Sequence, residues 1–231
     1  MTGLLAPLAD LVLGVRCAGC GVPALGLCRA CGEAVRPVPA IRWPDPTPAG
    51  LLRPGPVPPA SGGANADVLR RLLVAWKEEG VTRLTDVLSH HLAAATLLVD
   101  RGRPLVLVPV PTSARSRRRR GTDLVDDLAR AAGRRLRAVG VDVEVTQALA
   151  YTRATADQAG LGARARADNL AGALRARPGR LDPDRDIVLV DDIVTTGATL
   201  EEAVRAISLQ AQRPLGIAVA GATGRLEKGP G

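Results

Sequence analysis

The segment "DIVLVDDIVTTGATLEEAVRAISLQ", residues 186–210, constrains this chain more than any other. It opens with a short aliphatic run that reads as a buried strand, and "TLEEAVRAISLQ" then takes up a helical period. The same alternation recurs along the chain. "PLVLVPV" is a short apolar run ending before Pro111, "TDLVDDLARAAGRRLRAVG" is a helix, "VDVEVTQ" alternates as a strand, and "PLGIAVA" is the last strand. "DVLRRLLVAWKEEG" carries Val68, Leu69, Leu72, Leu73 and Trp76 at helical spacing with Gly80 behind it. "LTDVLSHHLAAATLLV" and "RARADNLAGAL" read as further helices. Strands alternating with helices predict an α/β fold: a parallel sheet with helices on both faces.

Before Asp67 the pattern breaks. "RPVPAIRWPDPTPAGLLRPGPVPPA", from Arg36 to Ala60, is proline-rich. Proline fixes φ and removes a backbone donor, so no helix or central strand is expected to run through it, only an extended linker or irregular strand pieces. The expected organisation is an N-terminal module over 1–36, a proline-rich linker or hood over 37–66, and the α/β unit over 67–231.

Hydrophobic residues make up 46% of the chain, aromatics 1%, and Phe is absent. The core must then be Leu, Val, Ile and Ala, and aromatic platforms for base stacking are poorly supported. The net charge is +8, nearly all of it from arginine. That suits an anionic partner, although an Arg, Ala, Pro and Gly bias in composition explains it equally well. No apolar run reaches the ~18 residues that span a bilayer. "TGLLAPLADLVLGV" is interrupted by Asp10 and has no basic lead, so a short amphipathic helix is expected there rather than a signal peptide. A cytoplasmic protein with no membrane insertion is the expectation.

All the cysteines lie in "CAGCGVPALGLCRAC": Cys17, Cys20, Cys28 and Cys31, two C-x2-C pairs separated by seven residues. Two such pairs can converge four thiolates on one tetrahedral Zn²⁺. The alternative is a pair of disulfides, which the cytosol disfavours. Four thiolates close the coordination sphere, so the expected zinc is structural. His90 and His91 are adjacent on a helix, ~100° apart, and cannot easily share one metal. Each reads as a surface or half-buried imidazole.

The acid pair poses the functional question. "IVLVDD" puts Asp191 and Asp192 at the carboxyl end of a strand, where open α/β sheets bind ligands. "TTGATLEEAV" puts a helix N-terminus in the same crevice, with unpaired N–H groups suited to phosphate. Thr195, Thr196 and Thr199 add hydroxyl donors, and Gly197 lets the backbone approach closely. The carboxylates need hydroxyl donors or a cation such as Mg²⁺ with water between. Together these features describe a ligand with a phosphate at one end and a diol nearby, a ribose 5-phosphate unit. Helix capping is part of the pattern but does not account for two acids plus T-T-G-A-T in one run. No fingerprint for an ordinary nucleoside triphosphate or dinucleotide is present.

"VLVDDIVTTGATL" resembles the phosphoribosyl-diphosphate (PRPP) motif of type I phosphoribosyltransferases. The preceding four-cysteine element narrows the resemblance to the ComF-like (competence protein F) branch. "VPVP" at 108–111, "RRRRG" ending at Gly121, and Arg153, Thr155, Gln158, Arg166 and Asn169 in "RATADQAGLGARARADNL" extend it over nearly the whole chain. The resemblance implies a type I phosphoribosyltransferase-like sheet with an N-terminal zinc module. It implies Asp191 and Asp192 on the ribose hydroxyls, and Thr195, Thr196, Gly197, Ala198 and Thr199 around the 5-phosphate. It further implies Mg²⁺ bridging ribose and diphosphate oxygens, and a diphosphate loop drawn from Thr112, Ser113, Arg115 and Arg120.

The chain departs from the family where Trp76-Lys77 is followed by Glu78, at Thr122–Leu124 after Gly121, and at Tyr151, where the family carries Arg. The run Arg115, Arg117, Arg118, Arg119 and Arg120 can meet diphosphate, nucleic-acid phosphates or solvent. Two functions stay open: displacement of diphosphate from PRPP by a nitrogen nucleophile, or a non-enzymatic accessory role in DNA uptake or recombination. The second would bring single-stranded DNA or DNA-uptake proteins as partners.

Overall fold

The computed structural model describes residues 16–24, 26–112, 121–153, 169–210 and 213–226. The amphipathic helix expected over the first residues, residues 164–168 of "RARADNLAGAL", and Ser113, Arg115 and Arg117–Arg120 lie outside them, as do Thr155, Gln158 and Arg166; the rest of "RARADNLAGAL" turns after Leu170 and enters a strand at Leu174 rather than continuing as the expected helix. Three aliphatic strands form the centre of the sheet: β3 (Leu105–Pro109), β7 (Asp186–Val194) and β8 (Gly216–Ala222). Every residue of β3 and β8 is buried, as expected of strands covered on both faces. Around them lie β1 (Ala40–Trp43), β2 (Pro59–Ser61), β4 (Val143–Val145) and β9 (Arg225–Leu226), in the order β4-β3-β7-β8-β2-β1-β9. The five strands from β4 to β2 run parallel, and β1 joins β2 and β9 antiparallel.

Side chains alternate across this sheet to build two cores. Leu105, Leu107, Val188, Val190, Ala218 and Ala220 face one side, against α3 (Asp67–Lys77), α4 (Thr85–Val99) and α5 (Leu124–Ala138). Val106, Val108, Ile187, Leu189, Ile217 and Val219 face the other, against α2 (Ala49–Leu52) and α6 (Ala198–Ser208). A separate antiparallel pair, β5 (Leu149–Tyr151) with β6 (Leu174–Ala176), adds Leu149 and Leu174 to the second core. With no Phe to fill space, Trp76 is the largest fully buried side chain, and its Nε1–H donates to Thr85 Oγ1 at 2.9 Å. Truncating it to Ala is expected to cost about 3–5 kcal/mol.

The proline-rich stretch contains more regular structure than its sequence predicts. It holds β1, the one-turn α2, and β2, which sits inside the sheet between β8 and β1. The prolines are tolerated because β2 is three residues long and starts at Pro59, so little of the ladder depends on a proline N–H.

The cysteine segment leads into α1 (Arg29–Ala34) and is tied to the α/β unit by Arg71, whose Nε donates to Gly19 O. His91 provides a second tie. Its Nε2 lies 2.7 Å from Val35 O, and its Nδ1 lies 3.1 Å from Gly62 O. At 1% exposure it is fully buried, not the surface or half-buried ring expected from sequence, because its face of α4 packs on the β2 end. Gly62 permits this approach, since a Cβ there would stand 2.3 Å from His91 O. A neutral imidazole has one N–H for the two carbonyls, and burial holds the His91 pKa below its ordinary value. Among the described residues no helix is long and apolar enough to cross a membrane.

Candidate functional site

Strand β7 carries the acid pair at its carboxyl end, flanked by Pro109 of β3 opposite Val190 and by Val219 of β8 opposite Asp191. The β7–β8 register runs through Asp191 and resumes at Ile193↔Gly221 with the same offset. Between them the Asp192 N–H is taken by Asp191 Oδ1 at 2.8 Å. The burial phase inverts across this point: Val188 and Val190 belong to the α3–α5 side, and so does Ile193, while Val194 belongs to the other. A strand keeping strict alternation would separate the two acids onto opposite faces. Here the Asp191 carboxylate instead turns back onto the backbone of its neighbour, through the Asp192 N–H.

Asp192 is 2% exposed and lies 2.7 Å, through Oδ2, from Nζ of Lys77, the last residue of α3. Burial pushes the Asp191 carboxyl well above the usual range, and the negative Asp192 adds to this against the pull of Lys77. Burial acts on Asp192 in the same direction. There the Lys77 charge and the bonds from Asp191 and Lys77 win, and Asp192 stays below its ordinary value. Burial alone would lower Lys77, but the charges of Asp192 and Asp191 raise it. The two carboxyls are thus pushed in opposite directions, with Lys77 favouring the charged form of Asp192.

Past Val194 the chain turns through Thr195, Thr196 and Gly197 into α6. Gly197 adopts φ 77° and ψ −2°, a left-handed conformation that disfavours any side chain. A Cβ there would also stand 2.8 Å from Pro44 Cγ and 3.1 Å from Pro48 Cγ, so the proline-rich stretch walls this turn. No side chain caps α6, which leaves its first N–H groups to another acceptor. Thr195 is exposed, Thr196 and Thr199 are half-buried, and Gly197 and Ala198 are buried. Glu201 in the first turn accepts the Gly50 N–H at 2.8 Å and fixes α2 to α6. The cavity of about 370 Å³ beside this contact includes Ala198 and Glu201 in its wall but neither acid.

Thr112 follows β3, whose continuation is held beside β7 by Val110 N–H to Val190 O at 2.8 Å. Its N–H donates to Asp123 Oδ2 at 3.3 Å, and its buried hydroxyl has no hydrogen-bond partner among the described residues. The remaining diphosphate-loop candidates, Ser113, Arg115 and Arg120, lie outside the described residues. Arg153 reaches back through Nη2 to Asn169 O at 2.9 Å and Ala171 O at 3.3 Å.

The structure thus brings the acid pair and the Thr195–Thr199 turn together on one strand-to-helix connection. Lys77 belongs with them, and the sequence shows it only as part of a departure from the family pattern. A lysine at the end of an amphipathic helix is ordinary. Its pairing with an acid so far along the chain becomes visible only in three dimensions. Of the two carboxylates, Asp192 already faces a cation, Lys77 Nζ.

The second centre is the cysteine cluster. The four Sγ atoms of Cys17, Cys20, Cys28 and Cys31 all lie within 4.8 Å of one another, with Cys20 to Cys28 at 3.6 Å and no disulfide. Sulfurs at the ~2.3 Å Zn–S distance of a tetrahedral site stand ~3.8 Å apart, so the cluster fits a metal ion of that kind. The Cys28 N–H donates to Cys17 Sγ at 3.3 Å and the Cys31 N–H to Cys28 Sγ at 3.5 Å. Burial acts to raise the Cys17 thiol, but backbone N–H groups of Cys28, Gly19 and Cys20 bring it down to about 6. Burial and the neighbouring sulfurs push Cys31 up to about 12. A bound divalent ion would draw all four to thiolate.

No protein-family model matches the chain, and a search of curated proteins finds no match to its sequence.

Proposed function

We propose that the Asp191–Thr199 connection binds the ribose and 5-phosphate of PRPP, in a ComF-like type I phosphoribosyltransferase fold whose cysteine cluster holds structural zinc. The observation that carries this reading is the joining of two unlike binding elements by a three-residue turn. An acid pair with Asp192 facing Lys77 lies near the end of β7, and an uncapped helix N-terminus opens α6 behind a left-handed Gly197. The helix end and the Thr hydroxyls receive the phosphate dianion. The carboxyl groups of the half-buried Asp191 and the buried Asp192 offer oxygens to a vicinal diol.

The chemistry open to this site is displacement at C1 of the ribose. A nitrogen nucleophile forms the N–C1 bond as the C1–O bond to diphosphate breaks, and diphosphate leaves with the bonding pair. The nucleophile's surplus proton passes to solvent. The chain's contribution would be to fix the ribose and exclude water rather than to supply a covalent nucleophile. Magnesium, if it takes part, would travel on the ligand's diphosphate.

A second reading, PRPP recognition without turnover in a DNA-uptake or recombination factor, is favoured by the placement of the histidines. Among the described residues His91 is engaged between Val35 and Gly62, and His90 contacts Asp86 O, so no imidazole base stands by the acids. Incubation with PRPP and a panel of nucleobases and amines, followed by a diphosphate-release assay, separates the two. Release with any acceptor supports transfer. Saturable PRPP binding without release supports recognition alone, and absence of binding overturns both.

A further inference from the structure

We infer that the Lys77 ammonium is the built-in counter-cation of the Asp191–Asp192 pair, taking the place a divalent metal would hold against those carboxylates. The diol of the ligand would then be recognised with no metal coordinated by protein. The identity of that ligand rests on the phosphoribosyl reading above, whereas the ion pair does not.

Three features carry the inference. The ammonium stands 2.7 Å from a carboxylate oxygen that is almost wholly removed from water, so Lys77 is the partner that permits a charge there. Lys77 is also positioned by its helix. Leu69, Leu72, Leu73 and Trp76 anchor α3 in the core, and the C-terminal end of a helix favours a cation at that place. Lastly, Mg²⁺ and Mn²⁺ require about six oxygens in close coordination, and a cation already on Asp192 both blocks and repels such an ion. Lys77, Asp191, Asp192 and Glu78 are the charged groups that act on one another here. A sugar hydroxyl, donor and acceptor at once, can be added to carboxyl oxygens beside an ammonium, whereas a metal would have to displace that cation.

Two measurements on the zinc-loaded full chain, without PRPP, test this. The first is Mn²⁺ binding followed by electron paramagnetic resonance. Wild type should show no Mn²⁺ site that depends on Asp192. Lys77→Met should gain one at least tenfold tighter than any wild-type binding, and the Lys77→Met, Asp192→Asn double variant should lose it. Wild-type Mn²⁺ binding that Asp192→Asn abolishes, or no gain in Lys77→Met, would overturn the inference.

The second needs no Lys77 variant and so does not depend on whether that variant folds. Lys77 and Lys228 are the only lysines, so amine acylation maps cleanly by peptide mass spectrometry. Lys77 should react at least tenfold more slowly in native wild type than in the denatured chain, and Asp192→Asn should recover most of that difference. Equal native and denatured rates, or no response to Asp192→Asn, would contradict the ion pair. A wild type that binds no PRPP would remove the phosphoribosyl reading and leave both readouts intact, so the two failures are distinguishable.

Discussion

The chain contains two Asp-Asp pairs in very different settings. Asp126 and Asp127 sit in the first turn of α5, behind the N-cap Asp123, whose side chain accepts the Asp126 N–H. Their charge is answered locally. Asp126 Oδ2 pairs with Arg130 Nε at 2.8 Å one turn along the same helix, and the helix N-terminus favours acids there. Asp191 and Asp192 end a buried strand with no cation on their own element, and their counter-charge comes from Lys77 on another. The same dipeptide serves helix stability in one place. In the other it sets a buried Asp192 against Lys77 beside an uncapped helix end, an arrangement that local stability does not require.

The largest expected contrast is in ligand binding. Asp191→Asn with Asp192→Asn should weaken PRPP binding at least ~100-fold, since two or more polar contacts are lost at ~1.5–3 kcal/mol each. Asp126→Asn with Asp127→Asn should change it less than twofold. Calorimetric titration of both double variants checks this, and equal effects would remove the distinction between the pairs.

Stability should separate the two cations next. Lys77→Met leaves Asp192 buried without its partner and should cost about 1–3 kcal/mol, the cost of a broken buried pair reduced for the half-exposed lysine. Arg130→Ala should cost about 0.5–1 kcal/mol, since its half-exposed guanidinium pairs with a buried Asp126 that the helix N-terminus also favours. Urea denaturation reads both.

The smallest effect is in pH dependence. Asp191 has a raised pKa, so the folded state holds its proton at pH values where the unfolded chain has released it. Its contribution falls as pH rises from about 4 through the folded value. Asp192, held low, contributes in the opposite sense, and its contribution is lost only as pH drops below about 4. Asp191→Asn should flatten the decline of stability toward neutral pH. Asp127→Asn, at an exposed position where burial and Asp126 also raise the pKa, should flatten it less. Denaturation series across the acid range would show the two slopes.

How much of this was legible in the sequence depended on how local each signal was. The spacing of Cys17, Cys20, Cys28 and Cys31 predicted the cluster, because two pairs, each three residues apart, are joined by a loop short enough to bring them together. The alternation of "PLVLVPV", "DIVLVDD" and "PLGIAVA" with helical runs predicted the parallel centre of the sheet. The proline-rich stretch allowed for strand pieces but concealed α2 and the place of β2 inside the sheet, because proline propensity says nothing of which short segments a neighbouring strand will accept. Burial of His91 and the reach of Lys77 were invisible for the same reason: each depends on a partner brought in by the fold.

The central claim is that one connection, from Asp191 to Thr199, grips the two ends of a phosphoribosyl unit. Isothermal titration of PRPP into the wild-type protein tests it most directly. The account predicts one PRPP bound per chain, with ribose 5-phosphate competing for the same site. No saturable heat at millimolar PRPP, or binding that ribose 5-phosphate does not displace, would contradict it.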